Sequence, residues 1–336
     1  MTLELRGVSV RYGSGPTALT AVDGVDLALP AGQTLGLVGE SGCGKSSIAR
    51  AIVGLAPISS GQVLLDGIDY TDQRRRETRE FRRRVQMIFQ DPYASLNPRM
   101  CVEELLTEVL PKDEFKSRRD RRTEVERILQ LVGLSATALP RYPHQFSGGQ
   151  RQRIAIARAL AVGPEIIIND EVTSALDVSV QATILNLLKE IQQQLGLSYI
   201  FISHDLATVR FMSDVVAVMY LGRVVETTTA RALFESPQHP YTAALMTSIP
   251  QVGEPRRPAP LSGDVPSPQH PPAGCRFHSR CPIGPMFRSD RTICLEQDPQ
   301  PIAETRAHHA ACHFADGSPA SPAEAPTSNV GASGSR

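Results

Sequence analysis

The chain has 336 residues, 41% hydrophobic and 21% charged, which suits one large domain with an appendage and excludes disorder throughout. Thirty-five Lys and Arg balance 35 Asp and Glu, so no global field attracts nucleic acid, and any anion must be bound locally. The longest apolar run, Val215 to Leu221, falls far short of the roughly 20 residues of a membrane-crossing helix. The opening Met1-Thr2-Leu3-Glu4-Leu5-Arg6 lacks the basic and apolar regions of a secretory leader, so a cytoplasmic chain is expected.

Up to residue 236, apolar runs such as Thr34–Val38 and Glu165–Ile168 alternate with helical stretches such as Ser179–Gln194. Short buried strands alternating with helices predict a mostly parallel sheet covered on both faces, an α/β fold. From Pro237 to about Phe314, prolines, cysteines and histidines are dense and apolar periodicity nearly vanishes, so a packed core there needs a staple. The Pro-, Ala- and Ser-rich segment 316–336 cannot bury enough surface to offset its ordering entropy, and disorder is expected.

Gly39-Glu40-Ser41-Gly42-Cys43-Gly44-Lys45-Ser46 follows the strand Thr34–Val38 and precedes the helical Ile48–Val53, the order a phosphate-binding loop requires. Glycines let backbone N–H groups turn inward around phosphate oxygens, and the helix N-terminus, with Ser47 in its first turn, adds positive potential. Lys45 reaches the outer phosphates and the Ser46 hydroxyl can ligate Mg²⁺. One such loop per chain predicts one nucleotide domain.

Two further motifs complete the pattern. Phe146-Ser147-Gly148-Gly149-Gln150-Arg151 opens a helix-compatible stretch, a second glycine-rich helix N-terminus and so a second anion site. Glu165 to Glu171 delivers an acidic pair at the carboxyl end of a buried strand, where open α/β sheets bind ligands. Asp170 is placed to hold Mg²⁺ directly or through water, and Glu171 to polarise an attacking water as general base.

With the Ser-Gly-Gly-Gln segment shortly before the acidic strand, residues 3 to about 235 resemble the ATP-binding-cassette (ABC) ATPases. The resemblance implies a nucleotide-binding domain over 1–236. Its parts are a RecA-like parallel sheet core, an N-terminal antiparallel β subdomain and an α-helical signature subdomain at about 96–158. It implies that Tyr12 stacks on adenine, that Gln90 senses Mg²⁺ and the membrane partner, and that Ser174-Ala175-Leu176-Asp177 communicates between sites. His204, 34 residues after Asp170, matches the family's switch histidine near the γ-phosphate. It also implies head-to-tail pairing, with Lys45 of one domain and Ser147 of its partner gripping the same ATP. Asn169 and Val172 depart from the usual residues on either side of the acidic pair and bear on the turn that aims Glu171.

Two segments carry marks that ATP chemistry does not demand, Gln90-Asp91-Pro92-Tyr93-Ala94-Ser95-Leu96-Asn97-Pro98-Arg99-Met100 and His239-Pro240-Tyr241-Thr242-Ala243-Ala244-Leu245. Both resemble the ATPase subunits of dipeptide, oligopeptide and nickel importers, and the combination is closest to the second of two paralogous ATPases. What this implies is an ATP hydrolase at the cytoplasmic face of the inner membrane. Its implied partners are two transmembrane permeases, a paralogous ATPase in a heterodimer, and an extracytoplasmic substrate-binding protein. Nickel, glutathione and other small solutes stay open as cargo. A soluble DNA-repair ATPase needs a long coiled coil between Lys45 and Ser147, for which there is no room. The arginine-rich stretches 74–84 and 118–127 are interleaved with Glu77, Glu80, Asp120, Glu124 and Glu126 and read as solvated helical faces, with no nucleic-acid partner.

Cys275, Cys281, Cys294 and Cys312 are spaced C-x5-C-x12-C-x17-C. Four thiolates suit zinc or an iron–sulfur cluster. The tight pairs of zinc ribbons are absent, and a reducing cytoplasm argues against disulfides. The extension over 237–315 resembles that of peptide-importer ATPases, which implies a [4Fe–4S] site acting as a structural staple. Cys43 and Cys101 read as small packed residues rather than ligands.

Overall fold

The computed structural model describes residues 2–91, 95–247, 263–299 and 308–315. In chain order, β1 (Leu3–Tyr12) and β2 (Leu19–Leu29) form an antiparallel ribbon, and β3 (Thr34–Val38) leads through a tight loop into α1 (Lys45–Ile52). β4 (Ser60–Leu65) and β5 (Ile68–Asp69) return to the first ribbon, completing a four-stranded sheet of order β2-β1-β4-β5. Short α2 (Gln73–Arg76) and α3 (Arg79–Arg84), capped by the Asp72 and Thr78 side chains, precede β6 (Val85–Ile88).

A helical layer follows: α4 (Val102–Val109), α5 (Arg118–Leu131) and α6 (Gly148–Ala161). The chain then alternates β7 (Ile166–Asp170), α7 (Val178–Leu195), β8 (Ser198–Ile202), α8 (Leu206–Met212), β9 (Val215–Tyr220) and β10 (Arg223–Thr229). It closes with α9 (Ala230–Glu235), α10 (Pro240–Thr247), α11 (Ile293–Glu296) and β11 (His309–Ala310). The second sheet has the order β11-β10-β9-β3-β8-β7-β6; it is parallel from β9 to β6 and antiparallel at β10 and β11.

Every residue of β3, β7 and β8 is buried. Their unbroken Ile, Leu and Val runs therefore read as strands covered on both faces rather than as alternating edges. One core cluster lies between the two sheets and around α1, joining Leu3, Val22 and Leu65 to Ile48, Ile52, Ile168 and Ile202. The other joins the opposite face of the large sheet to α4–α8 through Leu106, Ile128, Ile156, Leu188 and Val216. Local chemistry fixes the helix ends. The Asp177 carboxylate accepts from Val180 N at 2.9 Å to start α7, and Gly196, at φ 66°, ends it in a left-handed turn.

The C-terminal segment departs from the expectation of a coreless domain. Tyr241, Phe277 and Cys281 are buried members of the second core cluster, and β11 adds a strand to the large sheet beside β10. The segment borrows the core of the nucleotide-binding part instead of building its own, which is why no periodicity marks it. No helix among the described residues is long and apolar enough to cross a membrane. The segment Pro92–Ala94 and the tail 316–336 lie outside the described residues.

Candidate functional site

The loop after β3 is shaped by glycines at two points where a side chain does not fit. Gly39 has φ 149° and Gly44, the N-cap of α1, has φ 112°; a Cβ would collide with the Met219 carbonyl at the first and the Ala21 carbonyl at the second. Lys45 is buried, and its Nζ donates to the carbonyls of Gly39 at 2.7 Å and Glu40 at 3.0 Å, with Cys43 Sγ 3.6 Å away. The ammonium is thereby folded back over the loop, where a phosphate would lie. Ser41 and Gly42 are exposed at the loop crest, while Cys43 is packed beneath it. Burial pushes the Cys43 thiol up, against the pull of Lys45, as packing of a thiol away from water does.

The acidic strand β7 ends beside this loop. The Ser46 hydroxyl donates to Asp170 Oδ1 at 3.0 Å, joining two of the three residues expected at Mg²⁺, the third being Gln90. Burial pushes the Asp170 carboxyl up and the Glu171 charge adds to this, while the Ser46 bond opposes it. Such a carboxylate is poised for a cation. Among the described residues no group of three or more His, Cys, Asp or Glu is placed to hold a metal ion. Mg²⁺ needs no such cage, since it takes one or two protein ligands alongside substrate phosphates and water.

Glu171 is the hub of the site. Its backbone sits at φ 49°, a left-handed conformation that costs a non-glycine residue about 1–2 kcal/mol. The surroundings enforce it: its N–H donates to Ile202 O at 3.0 Å, and its carbonyl accepts from Ser174 Oγ at 2.9 Å. Gln90 Nε2 donates to Glu171 Oε2 at 2.9 Å, and His204 Nδ1 lies 3.4 Å from Oε1. Three predicted site residues from three strand ends therefore meet at one carboxylate. The two unusual neighbours are both buried; neither amide atom of Asn169 has a hydrogen-bond partner among the described residues, and Val172 packs in the core.

The structure does not bring every predicted residue to this point. Ser147 and Gln150 form a reciprocal capping box at the start of α6, with Gln150 N to Ser147 Oγ at 3.3 Å and Ser147 N to Gln150 Oε1 at 3.1 Å. A Cβ at Gly149 would press on Val180 at 2.5 Å, and one at Gly148 would touch Leu176 at 3.6 Å. Among the described residues no hydrogen bond or ion pair joins this helix end to Lys45 or Glu171 within one chain. Tyr12 is half-buried against the core cluster that contains Cys43 and Ile48.

The four clustered cysteines line one small cavity of about 10 Å³ together with His239, Phe277 and Phe314. All four thiols are free. Burial raises each of them, Cys275 to about 11 and Cys281 to about 12, and the neighbouring thiols add to the rise at both. The four thiols share one cavity, but among the described residues no group of three or more His, Cys, Asp or Glu is placed to hold a metal ion, which supports neither the iron–sulfur expectation nor its zinc alternative. His278 Nδ1 bonds the Cys275 carbonyl at 2.8 Å and His308 Nε2 bonds Glu226 at 2.6 Å.

Sequence reasoning missed the residues that tie this cavity to the phosphate loop. Arg280 reaches Glu40, and Arg276 reaches Asp23 and the Leu221 carbonyl. Only the adjacency of Arg276 and Arg280 to cysteines hinted at them.

Comparison with known proteins agrees with this geometry. The ABC transporter family matches residues 22–174, and the family described as "Oligopeptide/dipeptide transporter, C-terminal region" matches residues 225–285. The oligopeptide transport ATP-binding protein AppF of Bacillus subtilis is 47% identical over 88% of this chain and 89% of its own. OppF of Salmonella typhimurium is 50% identical over 84% and 90%, and the di/tripeptide transport ATP-binding protein DppF of Pseudomonas aeruginosa 45% over 90% and 92%. Among solved structures, the dimeric bacterial ABC transporter cassette MJ0796 aligns with TM-score 0.60 at 30% identity, covering 68% of this chain and 99% of that one. The fold and site thus define an ABC ATPase cassette. The chain belongs to the ABC transporter family, among the ATP-binding proteins of oligopeptide and dipeptide transporters.

Proposed function

We propose that this chain binds and hydrolyses ATP to power a membrane importer of di- or oligopeptides. The observation that carries the reading is the Glu171 carboxylate held between Gln90 and His204 beside the Ser46–Asp170 pair. ATP phosphates lie along Gly39–Ser47 under Lys45. Bound Mg²⁺, held by Ser46 and Asp170 with Gln90 nearby, would neutralise charge on the outer phosphates. Glu171 takes a proton from the attacking water as its oxygen bonds the γ-phosphorus and the bond to the β-phosphate oxygen breaks, releasing ADP and phosphate. Gln90 and His204 orient that carboxylate and report on the γ-phosphate.

Ser147–Gln150 serves the partner's nucleotide rather than its own, in keeping with a helix end exposed and unjoined to Lys45 in one chain. A γ-phosphate bridging two domains closes the dimer, and its loss reopens it. The resemblance of residues 90–100 and 239–245 to the second of two paralogous ATPases favours a heterodimer. A groove of about 100 Å³ with a mixed lining, among it Met87, Phe89, Ser95, Leu96, Val109 and Arg158, lies beside β6. It suits the permease contact through which the motion passes. The chain sits peripherally at the cytoplasmic membrane face, with a nucleotide domain over 1–236 and an extension over 237–315.

We further read Cys275, Cys281, Cys294 and Cys312 as holders of a [4Fe–4S] cluster that staples the extension. What supports this is the convergence of four thiols on one cavity. Anaerobic purification should yield iron and labile sulfide in equal amounts with a broad visible absorbance; colourless, iron-free protein with an unchanged melting profile in Cys→Ser variants would remove the cluster.

Gentle isolation from detergent-solubilised native membranes tests the transport reading. Recovery with two polytopic permeases and a sister ATPase is expected. Recovery only in the soluble fraction, with ribosomes or alone, would sink transport and leave the ATPase chemistry standing.

A further inference from the structure

Glu40, the second residue of the phosphate loop, has all three of its polar groups engaged, and two of its partners, Tyr241 and Arg280, come from the C-terminal extension. Its peptide N–H donates to Tyr241 Oη at 2.9 Å, and its carbonyl accepts from Lys45 Nζ at 3.0 Å. Its carboxylate receives both terminal nitrogens of Arg280, at 2.7 and 3.0 Å. A bidentate pair fixes orientation as well as distance. Arg280 is buried and adjoins Cys281. Its guanidinium lies 5.9 Å from the Tyr220 ring, in a cluster where Tyr220, Tyr241 and Phe277 have ring centroids 4.7 to 5.4 Å apart.

A second strut meets the far side of the loop. Arg276, between Cys275 and Phe277, donates to the Leu221 carbonyl and pairs with Asp23. The next residue, Gly222, donates its N–H to the Cys43 carbonyl at 2.8 Å. The loop is thus gripped at Glu40 and at Cys43 from outside, by residues that ATP chemistry does not need.

We propose that Arg280 and Tyr241 are positioning residues that brace the phosphate loop, so that the folded cysteine-bearing extension sets the chain's affinity for ATP. The brace rests on the reading of Gly39–Ser47 as the ATP site. It acts on the loop before and after the phosphates react, so it affects ground-state and transition-state binding alike and appears in KM rather than kcat.

The test is a titration of the full chain with a fluorescent ATP analogue, alongside ATPase kinetics of the assembled transporter and a melting curve for each variant. Arg280→Met and Glu40→Gln should each weaken binding about tenfold, the size expected for one charge-assisted hydrogen-bond pair. The double variant should bind no worse than either single one, Arg280→Lys should recover part of the loss, and kcat of Arg280→Met at saturating ATP should stay within about twofold. Tyr241→Phe, which removes one hydroxyl, should weaken binding a few-fold and carries the test if Arg280→Met does not fold. Unchanged affinity in Arg280→Met and Tyr241→Phe, measured well below their melting temperatures, would overturn the brace. Failure of the unaltered chain to bind the analogue would defeat the ATP-site reading itself.

Discussion

Gln90, at the end of β6, reaches across to Glu171, at the end of β7, and donates its side-chain amide to the carboxylate at 2.9 Å. The two are 81 residues apart in sequence and neighbours only because β6 and β7 pair in parallel, Ile88 opposite Asn169. The contact links the proposed general base to the strand that lines the groove proposed for the permease.

Removing that link should slow chemistry without abolishing nucleotide binding. In the assembled transporter, Gln90→Ala and His204→Ala should each lower kcat by about a hundredfold, with KM for ATP changed little, because orientation of a general base is worth roughly two to four decades. Phosphate-release kinetics check this. A pure KM effect would move both residues from chemistry to binding.

The loop glycines make a harsher prediction. Gly39→Ala and Gly44→Ala place a Cβ against backbone carbonyls that cannot move aside, of Met219 and Ala21. Both should lose measurable ATP binding in a nucleotide titration while keeping the far-UV spectrum of a folded chain. Gly42→Ala, where nothing lies within 4 Å, should lose less.

Asn169 offers a gain. Its amide is fully buried with no hydrogen-bond partner among the described residues, and such a group costs about 1–3 kcal/mol. Asn169→Leu, which keeps the branched four-atom skeleton of the side chain, should raise stability to urea by that order and leave ATP binding intact. A loss of stability would show that the amide is satisfied in solution.

Acid should weaken the junction between extension and sheet. Burial lowers His239 to about 4 despite the nearby Glu226 charge, and its Nδ1 accepts the Tyr241 N–H at 3.1 Å, which requires the neutral ring. The unfolded chain protonates near pH 6.5, so it binds the proton first as pH falls. Stability is therefore lost between about 6.5 and 4, by up to about 3 kcal/mol. Glu226 adds to this at lower pH. Burial would raise its carboxyl, but the His308 bond and the amides of Gln238 and His239 outweigh that and hold it below its usual value. Its contribution is present above the unfolded carboxylate pKa and disappears as pH falls through the folded one. Melting temperatures from pH 7 to 4 should fall more gently in His239→Asn than in the unaltered chain.

What was legible in the sequence follows from how local the chemistry is. The phosphate loop, the acidic strand and the signature helix each need fixed residue types within about ten positions, so Lys45, Asp170, Glu171 and Ser147 stand out from spacing alone. Gln90 and His204 carry no such mark, and only resemblance to a family singled them out before the fold placed them on Glu171. Glu40 and Arg280 lie 240 residues apart and left no trace. The same holds for Tyr241 and Phe277, single aromatics in a proline-rich stretch whose packing partner, Tyr220, belongs to another element. Contacts made by isolated residues across the chain are invisible to periodicity, and this extension is built from them.

The central claim is that Glu171 is the general base of an ATP-driven cycle. Glu171→Gln keeps the Gln90 contact and the size of the side chain while removing the proton acceptor. ATP binding should persist near the unaltered affinity, phosphate release should fall by at least about a thousandfold, and peptide uptake by the reconstituted importer should stop. Retention of most of the turnover in this variant would take Glu171 out of its role and with it the mechanism proposed for the site.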